Sequence, residues 1–350
     1  MKTVFVGMSG GVDSSVSALL LKEQGYHVVG VYMKNWSRDL PGMKCPWAED
    51  LADAKRVAVR LGIDFYVWDF EEAYRERVVE YMLREFRAGN TPNPDIMCNQ
   101  EIKFKLFYEK AMAAGADYIA TGHYARTSES SDTTQLLRAI DENKDQTYFL
   151  YRISDEALRH TLFPIGEMMK PEVKKLAAEH GLHNAYKKES MGVCFVGEVG
   201  MKDFLKEYID IEPGEIREVD SDRVLGYHEG AIFYTIGQRH GLYLDGEKGV
   251  VNDGMPYYVV KKDLEKNIVY VSKNLNDGNL WTKELKLRDV YLRTNSVSSC
   301  MVRLRHRAPL VPATFDGKML RFDSEVKRPA SGQSAVLYDS EICLGGGIIE

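Results

Sequence analysis

Hydrophobic positions along the first third of the chain switch repeatedly between two periods. The apolar run Thr3-Val4-Phe5-Val6 reads as a strand. Val12, Val16, Leu19 and Leu20 then recur at i, i+4, i+7 and i+8, and Gly25 follows where a helix stops. "HVVGVYMK" predicts a second strand. "AEDLADAKRVAVRLG" predicts a helix with Leu51, Ala54, Ala58 and Leu61 on one face and Gly62 after it. "IDFYVWDF" predicts a third strand and "YRERVVEYMLREF" a long helix. A Pro/Asn-rich loop, "AGNTPNPDIMCNQ", precedes a helix over "KFKLFYEKAMAAG" and a strand over "ADYIATGHYA". This βαβ alternation predicts an α/β domain with a parallel sheet and helices on both faces.

The pattern then changes. "KPEVKKLAAEHGL" predicts one more helix with Pro171 at its start, "KKESMGVCFVGE" a loop, and "MKDFLKEYI" a short helix. From Pro213 short alternating segments take over ("AIFYTIG", "YYVVKKD", "NIVYVSK"), as in a small β-rich module. From about Leu275 a second all-β stretch predicts a barrel or sandwich. The expected domains are 1–207, 208–274 and 275–350.

The first glycine turn is "MSGGVDSS", Met8 to Ser15, between the first strand and the first helix. Gly10 and Gly11 let the backbone approach an anion, and the first helical amides lack intrahelical partners, so the turn suits phosphate. Ser9, Ser14 and Ser15 add hydroxyls, and Asp13 is a candidate to orient a metal or a ribose. A P-loop needs a lysine that is absent. Gly7-Met8-Ser9-Gly10-Gly11 fits the nucleophile elbow G-x-S-x-G, but that elbow belongs deeper in a sheet. The loop of ATP pyrophosphatases, SGG-x-D-S, matches in full. A plain glycine turn is the bland alternative.

Two cysteines stand in suggestive settings. Asp95 and Cys98 lie three apart just before a predicted helix whose N-terminal amides favour a thiolate, with Lys103 and Lys105 adding positive charge. The bland reading is a capping Asp beside a buried Cys. Cys194 sits between Gly192 and Gly197, and taken alone a cysteine in this setting is more often a small core residue. Gly122, His123 and Arg126 end a strand of the same sheet and are candidates to face a nucleotide or phosphates. Lys144, Asp145 and Gln146 beside Tyr148, Phe149 and Tyr151 suit stacked RNA bases. Arg303, Arg305 and Arg307 form an alternating basic stripe or a merely solvated strand face. Gln333 lies in a turn.

Charge and length add bounds. The 350 residues suggest roughly two to three domains. The net charge of −6 does not advertise nucleic-acid binding, although local basic patches suffice for it. None of the five cysteines forms a C-x-x-C pair, which argues against structural zinc, and no metal-ligating set is expected. No run is apolar enough to span a membrane. The chain enters a strand at once, so no signal peptide and a cytoplasmic location are expected.

Taken together, "GMSGGVDSS", "NPDIMCNQEIKF", "ATGHYAR", "NKDQTYFLY", "GVCFVGE", "YTIGQRHGL" and "SGQSAVLY", in that order, resemble the tRNA-specific 2-thiouridylases over essentially the whole chain. The resemblance implies an ATP-pyrophosphatase domain, a small central β-rich module and a C-terminal β-barrel. It implies that Gly7, Met8, Ser9, Gly10, Gly11, Val12, Asp13 and Ser14, with Met33 and Gly122, hold ATP with Mg²⁺. Asn93, Pro94 and Asp95 would meet the target uridine. Cys194 would carry persulfide sulfur, and Cys98 would attack it, leaving a Cys98–Cys194 disulfide for a sulfur-donor protein or cysteine desulfurase relay to reduce. Asp95 would act as acid or base. His123, Lys144, Asp145, Gln146, Arg305, His306 and Gln333 would contact tRNA. The chain departs from the family pattern at Glu189 and Met191, at Gln100 where lysine is common, and at Arg305-His306 in place of Arg-Tyr. Alternatives are an amide-forming ATP pyrophosphatase, an iron–sulfur cluster on Asp95, Cys98 and Cys194 as sulfur carrier, or a tRNA-binding module with a vestigial loop.

Overall fold

The computed structural model describes residues 1–39, 45–130, 133–188, 200–244 and 255–350. Strands β1 (Thr3–Gly7), β2 (His27–Lys34), β3 (Asp64–Asp69) and β4 (Tyr118–Thr121) follow the expected alternation. A hairpin, β5 (Ala125–Ser130) and β6 (Thr133–Arg138), intervenes before β7 (Thr161–Leu162). The first sheet runs β3-β2-β1-β4-β7, and every pairing in it is parallel. β1 is central, and its period-2 alternation sorts its side chains to two covers. Val4 and Val6 pack on Val16 and Leu19 of helix α1 (Val12–Glu23) and on Val57 of helix α2 (Trp47–Leu61). Phe5 packs the other way, with Tyr74, Met82 and Phe107 of two longer helical stretches, 71–87 and 94–113.

The second of those stretches corrects the expected loop. Pro94, with its fixed φ and no needed amide, opens the helix, and the Asn93 side chain accepts the Asp95 amide at 3.2 Å as its cap. The helix therefore starts nine residues before Lys103, and its middle, Cys98–Phe107, is π-helical, a geometry frequent at functional sites.

Among the described residues the central module is a four-stranded sheet. Its strands are β8 (Gly214–Glu218), β9 (Val224–His228), β10 (Tyr258–Asp263) and β11 (Ile268–Ser272), in the order β10-β11-β8-β9. The last module has β12 (Trp281–Leu292), β13 (Ser299–Arg303), β14 (Val311–Phe315), β15 (Met319–Lys327), β16 (Ser334–Asp339) and β17 (Ile342–Ile349). β12 pairs with both β15 and β17, which closes the six strands into a barrel and removes their free edges. Leu287, Val302, Phe315, Leu320 and Leu337 fill it, together with Cys300.

The β5–β6 hairpin leaves the first domain and continues the barrel sheet beside β17. Val336, Tyr338 and Cys343 on the outside of the barrel join the core that holds Phe5, Ile102 and Tyr151. The barrel is thus fused to the face of the first domain that carries the 94–113 helix.

Candidate active site

β1 delivers the chain to the glycine turn. Met8 extends the ladder with its amide on Val31 O at 2.8 Å and buries its side chain against Gly30. Gly10 has φ +77°, and a Cβ there would sit 2.4 Å from the Asp50 carbonyl oxygen, so only glycine fits. Ser14 Oγ accepts the Ser9 amide at 3.2 Å and donates to Gly11 O at 3.1 Å, and Ser15 Oγ donates to the same carbonyl at 2.9 Å. These bonds shape the turn in advance and leave the first amides of α1 for an anion. Met33 lies over Gly7, its Cε 2.8 Å from where a Cβ would stand. Gly122 abuts the same helix end, where its missing Cβ would meet Ser14 N at 2.5 Å.

Asp13 is engaged differently from the expected metal or ribose role. Its carboxylate accepts two bonds from Lys170 Nζ, at 2.6 and 2.8 Å, and one from Tyr124 OH at 3.1 Å. Lys170 is only 7% exposed, which marks a lysine committed to this pair. Gln146 supports the arrangement by accepting the Tyr124 amide at 2.9 Å. Asn184 closes the other side, donating to Gly10 O and Ser15 Oγ at 2.9 Å each. Lys187 bridges Asp50 at 2.8 Å and Asp53 at 2.6 Å at the start of α2. Sequence reasoning missed Lys170, Tyr124, Asn184 and Lys187. Lys170 had a faint signal as a lysine just ahead of a helix-opening proline, where the helix dipole disfavours cations.

The 94–113 helix supplies the second half. Asp95 and Cys98 are one turn apart on it, and Cys98 is buried. Two turns beyond Asp95, Lys103 Nζ lies 3.4 Å from His123 Nε2. An ammonium only donates, so Nε2 must accept, and the ring proton belongs on Nδ1, 2.8 Å from Thr121 Oγ1. Burial, and then Lys103, hold His123 well below the ordinary histidine range, so the ring stays neutral. Burial raises the Asp95 carboxyl above the usual carboxylate range, and Lys103 partly opposes the rise. Lys105 points elsewhere, to Glu101 at 3.0 Å. Gln100 accepts from Arg152 Nε at 2.5 Å.

The residues expected to meet tRNA divide. Arg305 is exposed, and Lys144 is half-buried in a turn on Asp141. Asp145 is 1% exposed, and its carboxylate binds Arg303 Nη1 at 2.7 Å and the Thr147 hydroxyl at 2.9 Å. The expected Arg303–Arg305–Arg307 stripe is therefore broken. Arg303 is buried in that pair, β13 ends there, and Arg307 turns away with φ +62°. Arg126 likewise ties to Arg138 O at 2.8 Å and to Glu341, not toward phosphate. His306 packs on Phe149 with ring centroids 4.5 Å apart and planes tilted by 45°, and burial lowers its ring to about 4. His123 is buried, and Gln333 Nε2 donates to Thr91 O at 2.7 Å. Cys194, Glu189 and Met191 lie outside the described residues.

No group of three His, Cys, Asp or Glu side chains among the described residues is placed to hold a metal, and Asp13 is already paired. A protein-held Mg²⁺ therefore does not fit the described residues. An iron–sulfur cluster on Asp95 and Cys98 would need Cys194. Among the described residues, no helix is long and apolar enough to cross a membrane.

Comparison with known proteins matches three successive segments of the chain. Residues 2–198 match the tRNA methyl transferase HUP domain, 202–273 the tRNA methyl transferase PRC-barrel domain, and 280–349 the aminomethyltransferase beta-barrel domain. The tRNA-specific 2-thiouridylase MnmA of Bacillus subtilis (strain 168) is 46% identical over 357 residues, covering 99% of this chain and 94% of that protein. Its namesake from Streptococcus agalactiae serotype III (strain NEM316) is 47% identical over 356 residues, covering 99% and 95%. A solved 4-thiouridine synthetase–RNA complex with bound ATP is 16% identical, covers 59% of this chain and 50% of that one, and has a TM-score of 0.39.

Proposed function

The chain belongs to the tRNA-specific 2-thiouridylase family, and from that premise we propose that it exchanges the C2 oxygen of the wobble uridine in a tRNA anticodon for sulfur, consuming ATP. The observation that carries the reading is a chain of two close contacts and one charge effect. The glycine turn meets Gly122, the adjoining His123 meets Lys103, and Lys103 acts on Asp95, one turn from Cys98. The matched domain descriptions speak of methyl transfer. A phosphate-shaped turn has no use in that chemistry, whereas activating an oxygen with ATP requires one.

The uridine oxygen is a poor leaving group. In the proposed reaction it attacks the α-phosphorus of ATP, pyrophosphate leaves, and the oxygen becomes part of an adenylate. Gly10, Gly11 and the first amides of α1 receive the pyrophosphate charge in a preorganised turn. Met33 and Gly122 border the nucleotide. Lys170 and Tyr124 keep the Asp13 carboxylate from repelling the phosphates. Mg²⁺ arrives with ATP, held mainly by the phosphates.

The terminal sulfur of a Cys194 persulfide then attacks C2, and AMP departs with the former base oxygen. Cys98 attacks the Cys194 sulfur, which breaks the persulfide bond, leaves sulfur on the base and forms a Cys98–Cys194 disulfide. A dithiol reductant returns both cysteines to thiols by exchange, and a sulfur-donor protein or cysteine desulfurase relay then passes a new sulfane sulfur to the Cys194 thiol. Asp95, with its raised carboxyl, takes the Cys98 proton, and Asn93 and Pro94 fix where that carboxyl stands. Arg305 and Lys144 meet the tRNA backbone, and the uridine flips out of its loop at a cost of a few kcal/mol. The reading places the protein in the cytoplasm and divides it after residues 207 and 274.

The test is nucleoside mass spectrometry of unmodified tRNA incubated with protein, ATP, Mg²⁺ and a sulfide source. Wild type should form 2-thiouridine, and Cys98→Ser and Cys194→Ser should not. ATP cleavage without thiolated nucleoside would refute the tRNA assignment. A brown colour after anaerobic purification would move the sulfur from a persulfide to an iron–sulfur cluster.

A further inference from the structure

The loop that leads into Asp95 and Cys98 is held by both β-rich modules. Thr91 donates its amide to Ser331 O at 2.7 Å, and its carbonyl accepts Gln333 Nε2 at 2.7 Å, both from the turn before β16 of the barrel. Its hydroxyl lies 3.3 Å from Thr235 Oγ1 of the central module. Two residues upstream, Lys262 of β10 donates to Gly89 O at 2.9 Å. The fit is close on the barrel side. A Cβ on Gly332 would stand 2.9 Å from Asn90 Cβ and 3.0 Å from Thr91 N. The turn is itself locked to the barrel end, with Gly332 N on Ile349 O and Ile349 N on Gln333 O, each at 2.8 Å.

The clamp reaches the chemistry through a stiff connection. Thr91 and Asp95 are separated by Pro92, Asn93 and Pro94. Two of these three residues have φ fixed by their rings, and each proline also restricts the residue before it. Four residues span at most about 14 Å, so the clamp stands within that reach of the Asp95 backbone. A shift at Thr91 is therefore passed to the Asn93 cap and the first helical turn instead of being absorbed.

We propose that Gln333 is a positioning residue: by holding the Thr91 carbonyl, with Lys262 holding Gly89 from the opposite module, it sets Asp95 and Cys98 against the flipped uridine. This role stands beside the tRNA contact that the resemblance assigns to Gln333, and it rests on the thiolation reading above. It also gives the two β-rich modules a part in the chemical step. tRNA seated on them bears on the same loop that carries the reacting groups.

The test separates the rate of the chemical step from tRNA affinity. Wild type, Gln333→Ala, Lys262→Met and Arg305→Ala are compared in single-turnover 2-thiouridine formation at saturating tRNA and in tRNA binding without ATP, with thermal unfolding measured in parallel. Misplacing a reacting group by about 1 Å costs on the order of 10²-fold in rate. Gln333→Ala and Lys262→Met should each lose about tenfold or more in saturated rate, and Lys262→Met should keep Kd for tRNA within about twofold of wild type. Arg305→Ala, at a residue that meets the tRNA backbone in the reading above, should weaken binding and marks what an affinity loss looks like.

If Gln333→Ala weakens tRNA binding by about tenfold and leaves the saturated rate intact, Gln333 is a tRNA contact and the proposal fails. It fails equally if neither quantity changes. Should Gln333→Ala not fold, Lys262→Met asks the same question from the other module, and an unchanged rate there also overturns the clamp. A wild type that forms no 2-thiouridine refutes the functional reading instead.

Discussion

Replacing Gly122 by alanine perturbs the nucleotide site through a single methyl group. The added Cβ would lie 2.5 Å from Ser14 N, 2.7 Å from the Asp13 carbonyl carbon and 2.9 Å from Ser14 Cα. All three are backbone atoms in the first turn of α1, so no rotamer change relieves the clash. Van der Waals contact begins at 3.4 Å, which means that the helix end must retreat by about 0.9 Å from β4. Overpacking of this kind costs about 1–3 kcal/mol of stability. A displacement near 1 Å of the groups that hold a reacting phosphate costs on the order of 10²-fold in rate. The predicted phenotype is therefore lopsided, with a folded protein and a crippled ATP reaction. The assay is tRNA-dependent AMP release, read as kcat/KM for ATP, with thermal unfolding beside it. Gly278→Ala serves as control, because nothing lies within 4 Å of its Cβ position. Wild-type kcat/KM in Gly122→Ala would refute the packing of β4 against the phosphate-binding helix end.

Three further outcomes follow from other contacts. Arg303→Met leaves the buried Asp145 carboxylate with Thr147, the Ala139 amide and a distant Arg138 Nε at 3.9 Å, and chemical denaturation should show a loss of about 3 kcal/mol, much of it recovered in the Arg303→Met, Asp145→Asn double variant. Lys103→Met removes the charge that opposes the raised Asp95 carboxyl, so that carboxyl rises further and the acidic limb of the thiolation pH profile should move to higher pH. Burial lowers Lys262 from 10.5 to about 8 in the folded protein. The unfolded chain then binds more protons between those values, so this lysine's contribution makes stability rise with pH across that window, and Lys262→Met should flatten that part of the curve.

Much of this was legible along the chain, and for identifiable reasons. The strand–turn–helix from Thr3 to Glu23 carries its own period, glycines and stop, all local properties. The short alternating strands of the last domain pointed to a barrel or a sandwich, and the closure through β12 that decides between them is a long-range fact. The β5–β6 hairpin was hidden because it starts four residues after β4 and is largely polar, with no apolar run of its own. The helix start at Pro94 was read as loop because Pro and Asn are turn residues as well as helix openers. Arg303 and Lys170 were misjudged or missed because a buried ion pair depends on partners 158 and 157 residues away. The chemistry of the loop motifs was clear one by one. Which of them meet was not, because spacing carries no information about contacts made through the sheet.

The central claim is that the base oxygen leaves as part of AMP, and isotope tracing tests it directly. A tRNA bearing oxygen-18 at C2 of the wobble uridine would be thiolated in one turnover with unlabelled ATP and water, and the AMP analysed by mass spectrometry. The account predicts one oxygen-18 in AMP for each 2-thiouridine formed. Unlabelled AMP, with the oxygen-18 recovered in water, would contradict it.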